Sequence, residues 1–72
     1  MTGQYKAQLI RNGHIQQTIF NVVSCQSDKK YGYFTITQMI YKHQIITMHR
    51  FANVDSVILI DKDGNRKEIH HE

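Results

Sequence analysis

The sequence predicts an all-β domain, an antiparallel meander of five to six short strands closing into a small barrel. Three observations carry that prediction. Val54-Asp55-Ser56-Val57-Ile58-Leu59-Ile60 is a dense run of branched apolar residues that enters the polar turn Asp61-Lys62-Asp63-Gly64-Asn65 and returns as Arg66-Lys67-Glu68-Ile69. Asn12-Gly13 and Asp63-Gly64 lie between apolar stretches, where Gly accepts a positive φ without a Cβ clash. Tight turns join five or six short segments that are rich in β-branched side chains, which favour extended backbone.

Tyr5-Lys6-Ala7-Gln8-Leu9-Ile10-Arg11 reads as the first strand, with Tyr5, Ala7 and Leu9 on one face. After the Asn12-Gly13 turn, His14 to Gln26 reads as a longer second strand, placing Phe20 and Val22 on one face and Ile15, Ile19 and Val23 on the other. Ser27-Asp28-Lys29-Lys30 is a polar loop, and Tyr31 to Tyr41 the third strand. Phe34, Ile36 and Ile40 line one side of it; Tyr33, Thr35, Thr37, Met39 and Tyr41 line the other. A helix over 36–52 is excluded, because it would set His43 and Thr47 on the apolar stripe. Lys42-His43-Gln44 forms the next turn, although it lacks Gly, Asn and Pro. Gln44 to Arg50 is the fourth strand, with Ile45 and Ile46 back to back, and Phe51-Ala52-Asn53 is a tight turn. Val54–Ile60 is the fifth strand, apolar on both faces and therefore expected to be covered on both. Arg66–Ile69 is a short sixth, and the chain is expected to fray from about residue 70.

At 72 residues the chain is a single domain, 1–72, with room for a small core only. The doubled apolar pairs Leu9-Ile10, Val22-Val23 and Ile45-Ile46, with the run Val57 through Ile60, exceed what that core needs, so a homo-oligomer is expected. The lone Cys25 reads as a small buried hydrophobe and excludes an internal disulfide. The opening residues lack the apolar core of a signal peptide, and no apolar run approaches a membrane span. A cytoplasmic protein with no membrane partner is therefore expected.

The formal net charge of +3 lies in residues 1–36, where Lys6, Arg11, Lys29 and Lys30 face Asp28 alone. That half is the anion-facing half. Lys29, Lys30, Tyr31, Tyr33 and Tyr41 lie close in sequence around one loop and strand, and Lys42 and Arg50 add cations nearby. Tyrosine rings stack on bases while lysines and arginines meet phosphates, so this set reads as a surface for RNA or single-stranded DNA. A protein-interaction module that offers a sheet edge or apolar face to a protein partner is the alternative. Catalysis finds no support: Ser24, Ser27 and Ser56 have no glycine elbow, and no carboxylate pair stands out.

No metal or other cofactor is expected. His14, His43, His49, His70 and His71 show no diagnostic ligand spacing. Asp61, Asp63, Asn65 and Glu72 fall at positions 1, 3, 5 and 12 of a calcium loop, but position 6, which needs Gly, holds Arg66.

Gln38-Met39-Ile40-Tyr41-Lys42-His43 resembles the Gln-Met-Val-Tyr-Lys-His stretch of the bacterial Sm-like RNA chaperone family, Hfq. Leu9-Ile10-Arg11-Asn12-Gly13 is similar to that family's first strand and its Asn-Gly turn. The resemblance implies an SH3-like or Sm-like barrel, and it implies that Tyr41, Lys42 and His43 contact uridine-rich RNA at a ring pore. It covers about a third of the chain. The family's N-terminal helix and Asp-Gln-Phe pattern are missing, with Asp28-Lys29-Lys30 near the latter's place, and the hairpin after Val54 is an addition.

Overall fold

The computed structural model describes residues 3–71. It contains six strands: β1 (Tyr5–Arg11), β2 (His14–Asp28), β3 (Tyr33–Ile40), β4 (His43–Arg50), β5 (Ser56–Ile60) and β6 (Arg66–His70). They form one sheet in the order β4-β3-β2-β1-β5-β6, and every neighbouring pair is antiparallel. The all-β antiparallel sheet is as expected, but the strict meander is not: after β4 the chain crosses over, and β5 pairs with β1. Barrel closure is not: β4 and β6 are the two edges, and no ladder joins them. A barrel needs its first and last strands paired. Here β6 instead comes up against the far end of β2, where the Ser27 hydroxyl donates to the His71 carbonyl at 3.2 Å, and β4 is left outside.

Local chemistry explains most of the turns. Asn12 and Gly13 take φ of 53° and 78°, the two positive values that a two-residue type I′ hairpin requires. The Asp55 carboxylate locks that turn by accepting from the Asn12 amide at 2.7 Å. Asp61 organises the β5–β6 loop. Its carboxylate accepts from the amides of Asp63 and Asn65, both at 2.9 Å, and from the Asn65 side chain at 3.1 Å. Those bonds, the ones from Asn65 first, hold its carboxyl below the usual carboxylate range. The calcium-loop spacing is thus an Asx-stabilised turn among the described residues; Glu72, its last member, lies outside them.

β2 departs most from simple alternation. Its ladder with β1 slips between Tyr5↔Val22 and Ala7↔Ile19, and Asn21 sits at φ 59°. The bulge inserts an extra residue and reverses the faces. Ile19 and Val22 therefore both point inward, while Phe20, Ile15 and Val23 are exposed. The expected grouping of Phe20 with Val22, against Ile19 with Val23, is corrected accordingly. The N-terminal segment lies across this bulge: the Gly3 amide donates to the Met39 carbonyl at 2.8 Å. A Cβ on Gly3 would come within 2.1 Å of the Asn21 carbonyl oxygen, so only glycine fits there.

The core comprises Ala7, Leu9, Ile19, Val22, Phe34, Ile36, Val54, Val57 and Leu59. Leu9 faces Val57 and Ala7 faces Leu59 across the β1–β5 ladder. On the other face of β5 Ser56 is buried but Ile58 and Ile60 are half-buried, so the expected two-sided cover is incomplete at those two. Where fraying was expected from about residue 70, β6 continues through His70 and His71 caps the core. The His71 ring stacks on Phe51 at 4.1 Å and 8°, and its Nε2–H donates to the Val54 carbonyl at 2.8 Å. Phe51 meets Phe34 edge-on at 4.9 Å, so three rings seal one end of the sheet. Such ring pairs add about 0.5–1.5 kcal/mol each beyond the area they bury.

Candidate nucleic-acid interface

Five of the eight residues read as a nucleic-acid surface gather at one end of the β3–β4 ribbon. Asp28 shapes the turn there, its carboxylate accepting from the amides of Lys30 at 3.0 Å and Tyr31 at 3.2 Å. Gly32 then donates to the Asp28 carbonyl at 2.8 Å, and its own carbonyl accepts from the Phe51 amide at 2.9 Å. The turn is thus pinned to both β2 and the end of β4. It presents Lys29, Lys30 and Tyr31 to solvent.

The rings are already arranged. Tyr31 and Tyr33 lie with centroids 6.3 Å apart and planes 19° from parallel. The Lys30 Nζ sits 5.4 Å from the Tyr31 centroid, within cation–π range. Tyr31 is 66 % exposed, so much of the ring meets solvent. Tyr33 is directly opposite Arg50 in the β3–β4 ladder, and opposite residues share a face. Two stacked phenols therefore stand among three cations, Lys29, Lys30 and Arg50. Arg50 is twenty or more positions from the turn lysines, and only the register of β3 with β4 shows the proximity.

Tyr41, Lys42 and His43 do not join this cluster. β3 runs from Tyr33 to Ile40, so the hairpin tip lies roughly 24 Å away at ~3.4 Å per residue. The turn itself is Tyr41-Lys42, one residue earlier than expected, and Ile40 pairs with His43. Tyr41 occupies φ 58°, a conformation that L side chains other than Asn and Asp rarely adopt, and it is 76 % exposed. A strained aromatic at a solvent-facing tip, where Gly or Asn is the ordinary choice, is the kind of outlier that marks a contact site.

The opposite face of the ribbon carries a groove of about 410 Å³ lined by Phe20, Gln38, Ile40, Thr47 and His49, among others. Burial pushes the His49 imidazole below its ordinary range, so it is neutral at pH 7 and shares a 3.2 Å hydrogen bond with the Thr47 hydroxyl. Sequence reading missed this groove because the β2 bulge creates it. Cys25 packs half-buried against the core, and burial raises its thiol to about 11. It is therefore a protonated packing residue and a poor nucleophile. Among the described residues no three His, Cys, Asp or Glu side chains gather in a metal-ligating arrangement.

Fold and surface together define a small six-stranded antiparallel sheet protein with a cationic, tyrosine-bearing end. Comparison with protein-family models, with curated proteins and with solved structures gave no match.

Proposed function

We propose that this protein binds single-stranded nucleic acid, RNA or DNA, on the outer face of the β3–β4 ribbon. The observation that carries the reading is the Tyr31–Tyr33 stack flanked by Lys30 and Arg50. A base stacks on the exposed Tyr31 ring as the Lys30 ammonium swings from it to a phosphate, and Lys29, Lys30 and Arg50 neutralise the phosphates either side of the base. Tyr41, Lys42 and His43 extend the path at the hairpin tip. The role is binding, without catalysis or a cofactor. A lone cysteine with no disulfide partner suits a reducing compartment, and the cytoplasm is the proposed setting.

Titration of a fluorescent single-stranded oligonucleotide at two salt concentrations tests this. Three phosphate contacts give a log–log salt slope of about −2, hence roughly twentyfold weaker binding at 200 mM than at 50 mM salt. Micromolar or tighter affinity with that slope supports the proposal. Absence of binding at 50 mM salt, or binding indifferent to salt, removes it. A protein-interaction role is the second reading, favoured by one observation: β4 is an unpaired edge with Ile45, Ile46 and Met48 exposed.

A further inference from the structure

The two edges of the sheet are built differently. β6 is five residues long and carries Arg66, Lys67 and Glu68, the last 2.7 Å from His70. Charges and brevity are the usual guards of an exposed edge. β4 is eight residues long, and its ladder with β3 runs from Tyr33↔Arg50 to Ile40↔His43 without a bulge. Between His43 and His49 it reads Gln44-Ile45-Ile46-Thr47-Met48, with no charged residue and no proline, and Arg50 closes the strand. Ile46 is 55 % exposed and Met48 63 %.

The hairpin fixes which backbone groups on β4 are free. A two-residue turn bonds its flanking residues to each other, here Ile40 and His43. Bonding alternates along an antiparallel strand, so His43, Ile45, Thr47 and His49 face β3. Gln44, Ile46, Met48 and Arg50 then direct their amides and carbonyls outward.

We infer that β4 pairs antiparallel with β4 of a second copy about a two-fold axis at Thr47, and that this dimer completes the nucleic-acid surface. Opposite residues must share a face, so the axis passes through a residue. Two placements overlap nearly the whole strand, at Ile46 or at Thr47. The first sets Lys42 opposite Arg50 of the second copy. The second sets Gln44 opposite Arg50 and Ile46 opposite Met48, with no like charges facing. It also buries the four exposed Ile46 and Met48 side chains in one cluster and satisfies every outward amide. Pairing β4 with a second copy's β6 would be head-to-tail, leave a free edge at each end and add strands without closing.

The consequence concerns the split site. Within one copy the Tyr41-Lys42-His43 tip is roughly 24 Å from the Tyr33–Arg50 end at ~3.4 Å per residue. In the dimer Gln44 lies beside Arg50 of the second copy, one strand spacing of about 4.8 Å away. Each tip therefore abuts the other copy's Lys30, Tyr31, Tyr33 and Arg50, and two composite surfaces form. The dimer stands independently of the nucleic-acid reading; the composite surface rests on it.

Sedimentation equilibrium and cysteine scanning test the inference. The protein is expected to sediment at twice its 8.5 kDa chain mass at micromolar concentration. Thr47→Cys is expected to form an intermolecular disulfide under mild oxidation, because opposite Cα atoms of a non-hydrogen-bonded pair lie about 4.5 Å apart. Ile45→Cys, four positions from its own mate, is not. Cys25, protonated to about 11, does not compete. Met48→Lys is expected to give a monomer and to lose at least tenfold in oligonucleotide affinity. An added cation alone would tighten that affinity, so the direction identifies the dimer as the cause. A native monomer at 100 µM, or cross-linking through Ile45→Cys but not Thr47→Cys, overturns the dimer. A dimer that binds no oligonucleotide keeps the interface and sinks the nucleic-acid reading. A Met48→Lys monomer with undiminished affinity does the reverse to the composite surface.

Discussion

Phe34→Ala is expected to remove most of the protein's stability. Phe34 is 0 % exposed, meets Phe51 edge-on at 4.9 Å and lies 5.5 Å from the His71 ring. It is the largest fully buried side chain. Its deletion leaves a cavity under the stacked Phe51 and His71 rings. Buried Phe→Ala changes cost about 3–5 kcal/mol. Small domains hold roughly 0.05–0.15 kcal/mol per residue, so a 72-residue chain has little beyond that to lose. Urea denaturation followed by far-ultraviolet circular dichroism should show the midpoint falling by about 2–3 M, or no folded baseline at all. Phe20→Ala is the control: the same chemistry at an exposed position, expected to move the midpoint little. Equal effects at the two positions would mean that the β2 bulge and the core are misplaced.

Lys30→Ala combined with Tyr33→Ala is expected to weaken single-stranded oligonucleotide binding about a hundredfold. Each aromatic stack on a base is worth about 1–3 kcal/mol, and tenfold in affinity corresponds to ~1.4 kcal/mol. Tyr33 supports Tyr31 from beneath and stands opposite Arg50, so its removal loosens the whole platform. The lysine contributes one phosphate contact, and its loss should flatten the salt slope by about 0.7. Both side chains lie outside the core, so the circular dichroism spectrum should not change. Lys67→Ala, on β6, removes the same charge elsewhere. If it weakens binding as much as the double substitution, attraction is a matter of overall charge and the tyrosine platform has no part in it.

What the sequence disclosed follows from the range over which each feature is determined. The Asn12-Gly13 hairpin, the faces of β1 and β3, and the apolar face of β5 are set by neighbours two to four residues away, and they stand where alternation and turn chemistry put them. The β2 bulge was not legible, because Asn21 becomes a left-handed residue only when β1 and β3 impose their registers on the strand between them. Residue preference puts the Tyr41-Lys42 turn one residue late, since a tyrosine at positive φ contradicts every turn preference. His71 reads as frayed in sequence because its partners, Phe51 and Val54, are distant along the chain. Barrel closure failed for the same reason: it depends on where the two edges end up, and no local pattern encodes that. The candidate site was half legible. Lys29, Lys30, Tyr31 and Tyr33 are contiguous, and Arg50 joins them through the ladder. Tyr41, Lys42 and His43 are near in sequence yet stand at the far end of an eight-residue ribbon.

The most direct measurement is an amide-detected nitrogen–proton NMR titration of the native protein with a short single-stranded oligonucleotide at low salt. Saturable shifts concentrated at Lys29 to Tyr33, at Arg50 and at Tyr41 to His43, with β5 and β6 unmoved, are the predicted result. Shifts confined to the β5–β6 edge or to the groove around His49, or none at all, would contradict the account.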